Sequence, residues 1–239
     1  MIANAAVLAP SQIEIADFVA GASAARGLAV IIDVFRAFSL APYAFARGAS
    51  RVIPVAAVET ARALKAADPH VLLVGERHAR QLPGFDCGNS PARLLELDLQ
   101  GRTLIHTTHA GTQGLTNARR ADEVITGALV NAAAIVRYIH ARRPQHVTLV
   151  RMGHEARERG EEDDLCAEIL RQRLLGETPA VDTVRDRLRT AASAAKFFDP
   201  ACDWAPEQDF ELCTAMDAFD FVLRLEPDPR GAALVPIPA

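Results

Sequence analysis

LAVIIDV, residues 28–34, is the stretch on which the fold turns. Leu28 to Ile32 run without a polar interruption and then meet Asp33. A run this short and this β-branched reads as a strand buried on both faces. The segment after it, SLAPYAFARG (39–48), is helix-compatible and stopped by Gly48. The alternation repeats outward. RVIPV (51–55) reads as a strand, with Pro54 marking an edge or a strand end, and ETARALKAA (59–67) reads as a helix. VLLV (71–74), Thr103 to His106, Glu123 to Thr126 and HVTLV (146–150) read as further strands. Residues 113–120, the amphipathic stretch Asn131 to Arg142, Leu165 to Leu175 and residues 181–198 read as helical. Residues 151–164 read as a charged loop. Residues 199–239 are Pro-rich, with one apolar patch (FDFVLRL) and a VPIP tail. Strand alternating with helix predicts an α/β fold. We expect a single domain over residues 1–239, with a mixed or mostly parallel sheet flanked by helices. Some connections are too short for a crossover helix, which is why a mixed sheet is admitted.

Composition narrows the function. The 239 residues are 50% hydrophobic and 23% charged, which excludes a disordered or collagen-like chain. Lys and Arg total 26 against 30 Asp and Glu, a net charge of −4. That argues against a dedicated nucleic-acid binder. The only lysines are Lys65 and Lys196, and neither sits in a Schiff-base or Walker-type motif. The four cysteines, Cys87, Cys166, Cys202 and Cys213, form no C-x-x-C pair, so a zinc ribbon or thioredoxin motif is not expected. MIANAAVLAPSQIEIADF has neither the basic start nor the continuous apolar run of a leader, and no stretch reaches 18 apolar residues. We therefore expect a cytoplasmic protein with reduced thiols and no membrane partner.

Polar clusters fall where strands end, the usual ligand position in open α/β sheets. Asp33-Val34-Phe35-Arg36 sets a carboxylate and a guanidinium three apart. Gly75-Glu76-Arg77 offers a close backbone approach, a hard-metal ligand and a bidentate anion binder. PGFDCGNSP (83–91) is a stiff loop carrying Asp86, Asn89 and Ser90. Thr107-Thr108-His109-Ala110-Gly111-Thr112 could cradle a phosphate. Glu161-Glu162-Asp163-Asp164 suits a helix start, and one or two of the four could hold a cation. Each cluster also has a structural reading: an ion pair, a tight turn, a helix cap. Together, carboxylates, arginines and hydroxyls suggest Mg2+-assisted chemistry on a phosphate ester. The D-x-D of halo-acid-dehalogenase phosphatases is absent, since that position reads Asp33-Val34-Phe35.

VIIDVFRAFS (30–39), GER (75–77), GFDCGNSP (84–91), TTHAGT (107–112), GALVNAAA (127–134) and EEDDLCA (161–167) occur in that order. In this the chain resembles the 2-phosphosulfolactate phosphatases, Mg2+-dependent hydrolases of the coenzyme M pathway. The resemblance implies an α/β fold of its own type and cleavage of a small anionic phosphate monoester, 2-phosphosulfolactate, to sulfolactate and phosphate. Carried over by motif, Asp33, Arg36, Asp86 and Asp163 are candidate catalytic residues. Asp33, Glu76 and Asp86 are candidate Mg2+ ligands. Arg77, Asn89, Ser90, Thr107 and Thr108 are candidate substrate contacts. Cys166 is expected to pack rather than attack.

The chain departs from that pattern in three places. Phe38 replaces a threonine of the first motif, His109-Ala110 stands where the family has an asparagine, and RMGHEARERG (151–160) is more charged than a small-residue turn. Phe38 and the 109–111 turn motivate an alternative, a binder of a phosphorylated metabolite that does not cleave it. An isochorismatase-like hydrolase would need an Asp-Lys-Cys set, for which Lys65 and Lys196 look poorly placed. The apolar C-terminal segment admits a homo-oligomer.

Overall fold

The structure is a computed structural model that describes residues 10–239. The first nine residues of the stretch read for a leader lie outside the described residues. The strands are β1 (Gln12–Asp17), β2 (Leu28–Ile32), β3 (Arg51–Pro54), β4 (Leu72–Arg77), β5 (Arg80–Gln81), β6 (Thr103–Thr107), β7 (Glu123–Gly127), β8 (His146–Arg151), β9 (Phe221–Asp228) and β10 (Gly231–Pro238). The helices are α1 (Phe18–Ala24), α2 (Ala37–Ala46), α3 (Val58–Ala67), α4 (Pro91–Leu94), α5 (Gly111–Asn117), α6 (Ala132–Arg142), α7 (Glu161–Leu174), α8 (Val184–Arg189) and α9 (Glu207–Cys213). The expected α/β class is what forms: one mixed sheet with helices packed on it.

The sheet order is β1-β8-β2-β7-β9-β10-β3-β6-β4-β5. β1, β8, β2 and β7 make one parallel block, and β3, β6 and β4 make another. The antiparallel hairpin β9–β10 joins them, with the ladder pairs Ile125↔Arg224 to β7 and Leu234↔Val52 to β3. Pro236 and Pro238 still pair with Leu223 and Phe221 of β9, but they lie beyond the pair with β3, so their missing N–H groups break no ladder on that side. Pro54 ends its strand and does not mark a sheet edge, because β3 lies between β10 and β6.

β2 is buried along its whole length, as its apolar run requires. Side chains alternate across a strand. Ile31 accordingly joins the cluster that holds Phe38, Leu104 and Val150, while Val30 and Ile32 join the one that holds Ile135, Leu170 and Phe210. Each such side chain contributes roughly 1.5–3 kcal/mol. Three expectations change. The charged loop ends at Gly160, because Glu161 to Asp164 form the first turn of α7, where four carboxylates favour the helix dipole. Residues 181–198 break into two 3-10 turns around the short α8. The C-terminal patch is the hairpin that bridges the sheet, and β1 lies in a stretch that the sequence left unassigned. No helix of the described residues is long and apolar enough to cross a membrane.

Candidate active site

The two parallel blocks meet at their strand ends. Asp33, just past β2, accepts the Gly111 N–H on Oδ2 at 2.9 Å and the Ala37 N–H on Oδ1 at 3.2 Å. Gly111 must be glycine, since a Cβ there would stand 2.7 Å from that same Oδ2. Glu76, in β4, accepts the His109 N–H at 2.7 Å and the Ala79 N–H at 2.8 Å. Gly75 beside it gives the expected close approach, because a Cβ would meet the Thr107 carbonyl oxygen at 2.4 Å. Backbone amides of the turns after β4 and β6 thus hold both carboxylates in place.

Asp33, Arg36, Glu76 and Asn89 line one cavity of about 500 Å3. Glu162, Ser193, Lys196 and Trp204 share that lining with His78, His109, Glu155, Glu158 and Arg159, and the Ser193 hydroxyl donates to Glu162 at 2.5 Å. Arg36 is buried. It donates to the Asp209 carboxylate at 2.6 Å and to the carbonyls of Trp204 and Ala79 at 3.0 and 3.1 Å. Its guanidinium lies 5.7 Å from the Trp204 ring and 6.0 Å from that of Phe197. Lys196 is within 5.1 Å of the Phe197 ring and 5.8 Å of the Phe35 ring.

The electrostatics follow from this crowding. Burial, and then repulsion from Glu76 and Glu162, raise the Asp33 pKa to about 7 against the pull of its two amide bonds. Asp163 is raised well above its usual range by burial and by the charges of Glu162 and Asp33. Burial and the Arg36 charge lower the Lys196 pKa. Five carboxylates line the cavity, those of Asp33, Glu76, Glu155, Glu158 and Glu162, and they create a demand for positive charge. Mg2+ prefers one or two carboxylates, with waters and phosphate oxygens completing its shell. Asp33, Glu76 and Glu162 offer the oxygen donors that ion takes, of which one or two suffice, and each oxygen of Asp33 and Glu76 retains a lone pair beyond its single amide bond.

The other candidates, Asn89 excepted, lie elsewhere. Asp86 does not line this cavity: it accepts the Leu73 N–H at 2.7 Å and pairs with Lys65 at 3.4 Å, so the expected Asp33–Glu76–Asp86 metal set is not assembled. Arg77 turns back onto the carbonyls of Glu76 and Ala56 and onto Thr107 Oγ1. Ser90 caps α4 and donates to Asp209 at 2.7 Å. Thr108 bonds within its own turn, to Thr112. Asp163 accepts from the amides of Val34 and Gly153, both at 2.8 Å, and so ties the turn after β2 to the loop after β8. Asn89 reaches the wall and also accepts from His106 at 3.2 Å.

Lys196, which looks poorly placed in the sequence, lies on the wall with Asp33. An Asp-Lys pair is therefore present, but the third member is missing. Cys166 is fully buried, and burial pushes its thiol well above the usual range. Phe38 is likewise fully buried in the core, so the residue replacing the motif's threonine is a packing group and not a cavity contact.

A family model described as 2-phosphosulpholactate phosphatase matches residues 15–228. A Thermotoga petrophila protein named "Probable 2-phosphosulfolactate phosphatase" is 35% identical over 206 residues, covering 81% of this chain and 87% of its own. Proteins of the same name are 29% identical in Clostridium perfringens strain 13, over 88% of this chain and 91% of theirs, and 37% identical in Synechococcus sp. CC9605, over 69% and 68%. By this match, over most of its length, the chain belongs to the 2-phosphosulpholactate phosphatase family.

Proposed function

We propose that this protein is a Mg2+-dependent phosphatase that hydrolyses 2-phosphosulfolactate to sulfolactate and phosphate. The observation that supports it best is the convergence of Asp33, Glu76 and Glu162 with Arg36 and Lys196 on one cavity, in a chain of this family. A substrate with phosphate, carboxylate and sulfonate groups is small and strongly anionic, and it needs cationic contacts. Arg36, held rigid by Asp209 and two aromatic rings, presents a fixed guanidinium to one anionic group. Lys196 faces the same space, and its lowered pKa makes its proton easier to give. We assign it to protonating the leaving oxygen. Asp33, Glu76 and Glu162 would hold Mg2+, which would supply charge neutralisation at the transferring phosphoryl group. Asp163 acts as a positioning residue through the backbone it anchors.

Phosphate release from 2-phosphosulfolactate and a panel of small phosphoesters, with Mg2+ or with EDTA, tests the reading. Release that needs the metal and favours 2-phosphosulfolactate is expected. A folded protein that releases none, yet binds the ester calorimetrically, would replace hydrolysis by the binding-only alternative. That alternative has lost one of its two supports, because Phe38 does not reach the cavity.

A further inference from the structure

Two of the chain's departures from its motif pattern meet at the rim of the cavity. His109 lies in the turn after β6, and Glu155 lies in the charged loop after β8. His78 joins them from the turn after β4. One ligand atom from each of the three lies within 4.8 Å of the others. His78 Nδ1 is 2.5 Å from Glu155 Oε1, and His109 Nδ1 is 3.8 Å from the same oxygen. The two imidazoles pack edge to face at 4.9 Å. His109 Nδ1 is buried and has no hydrogen-bond partner, an uncommon state for a ring nitrogen.

We propose that His78, His109 and Glu155 bind one divalent transition ion of the zinc class, at a site distinct from the Asp33–Glu76–Glu162 carboxylates. Two imidazoles and one carboxylate suit Zn2+ and its neighbours, whereas Mg2+ takes oxygen donors. Tetrahedral ligation at about 2.0–2.1 Å places ligand atoms roughly 3.3 Å apart. The two distances to Glu155 straddle that value and the imidazole nitrogens lie within 4.8 Å of each other, so rotation of the three side chains with a small closure would seat the ion. Glu76 accepts the backbone N–H of His109 and of Ala79, the neighbour of His78, and so fixes both turns that carry the imidazoles. Three protein ligands leave a fourth position facing the cavity, where water or an anionic group can bind. The ion fastens the turn at 78–79 to the loop at 153–158 and neutralises the rim beside the substrate.

The test is titration of chelator-stripped protein with Zn2+ alone, in millimolar Mg2+, against a chromophoric competitor. One Zn2+ per chain is expected. His109→Asn, His78→Gln and Glu155→Gln should each weaken it by at least about 100-fold, more than the 10–100-fold typical of outer-shell changes. Cys202→Ser should not change it, and a Co2+ derivative should lack thiolate charge-transfer absorption. His78 is largely exposed, so its variant should fold even if the other two do not. No stoichiometric uptake, displacement by Mg2+, or wild-type affinity in folded His78→Gln would overturn the proposal.

Discussion

Arg36 and Asp209, 173 residues apart in the chain, form an ion pair at 2.6 Å with both side chains shielded from water. The other oxygen of Asp209 accepts from Ser90 Oγ at 2.7 Å and from the Ala92 N–H at 2.9 Å. One carboxylate on α9 therefore sets the cavity's guanidinium and the start of α4. Removing one partner of such a pair strands a charge, at a cost of about 3–5 kcal/mol. Asp209→Asn should lower stability by that order in urea unfolding. The double variant Asp209→Asn/Arg36→Met should recover part of the loss. An unchanged midpoint in Asp209→Asn would mean that the pair contributes nothing.

His106 and Asp33 predict opposite pH slopes. Burial lowers the His106 pKa to about 4, below its unfolded value near 6.5. The unfolded chain then takes up a proton that the folded one refuses, so this residue's contribution falls as pH drops from 6.5 to 4, by about 3 kcal/mol in all. Asp33 is raised to about 7 from 3.8, so its folded form keeps a proton that the unfolded chain loses. Its contribution falls as pH rises from 3.8 to 7. Asp163 acts in the same sense as Asp33. In EDTA, a plot of stability against pH between 4 and 7 should slope more steeply upward in Asp33→Asn than in wild type. In His106→Gln it should slope more steeply downward. Parallel plots for all three proteins would show that neither group is perturbed as described.

The local pattern of the chain was legible because hydrophobic period and chain breakers act over a few residues. β2, α2, α6 and β8 stand within a few residues of where apolar runs and glycines put them. The hairpin β9–β10 was not legible. Its prolines argue against a strand, and its place between two parallel blocks depends on a partner 182 residues distant, Val52 for Leu234. The site divides in the same way. Asp33 and Glu76 follow directly from strand ends. Asp86 has the same residue type and a similar loop, yet its oxygen satisfies Leu73 instead of the cavity. No motif announces Lys196, because a broken helical segment brings it to Asp33 only through tertiary packing.

Asp33 and Asp86 should separate cleanly in activity. Asp33→Asn keeps the shape but weakens a buried carboxylate cluster that is proposed to hold the metal. Turnover should fall by at least about 100-fold. Asp86→Asn removes a charge that accepts one backbone bond and pairs with half-exposed Lys65. It should cost about 1 kcal/mol of stability and leave turnover within a few-fold of wild type. Initial rates with saturating Mg2+, checked against unfolding curves, distinguish the two. Equal losses of turnover would return Asp86 to the site.

Lys196 offers the sharpest test of the proposed chemistry. Methionine keeps the length and the packing against Phe35 and Phe197 while removing the proton and the charge. If Lys196 protonates the leaving oxygen, kcat for an alkyl phosphate should fall by about 100-fold or more in Lys196→Met. A p-nitrophenyl ester needs no such help, because its leaving group is stable as an anion, and its kcat should fall far less. If Lys196 only attracts the substrate, KM should rise for both esters, with little change in either kcat. Matching losses of kcat on the two esters would remove Lys196 from the acid role and leave it a charge on the wall.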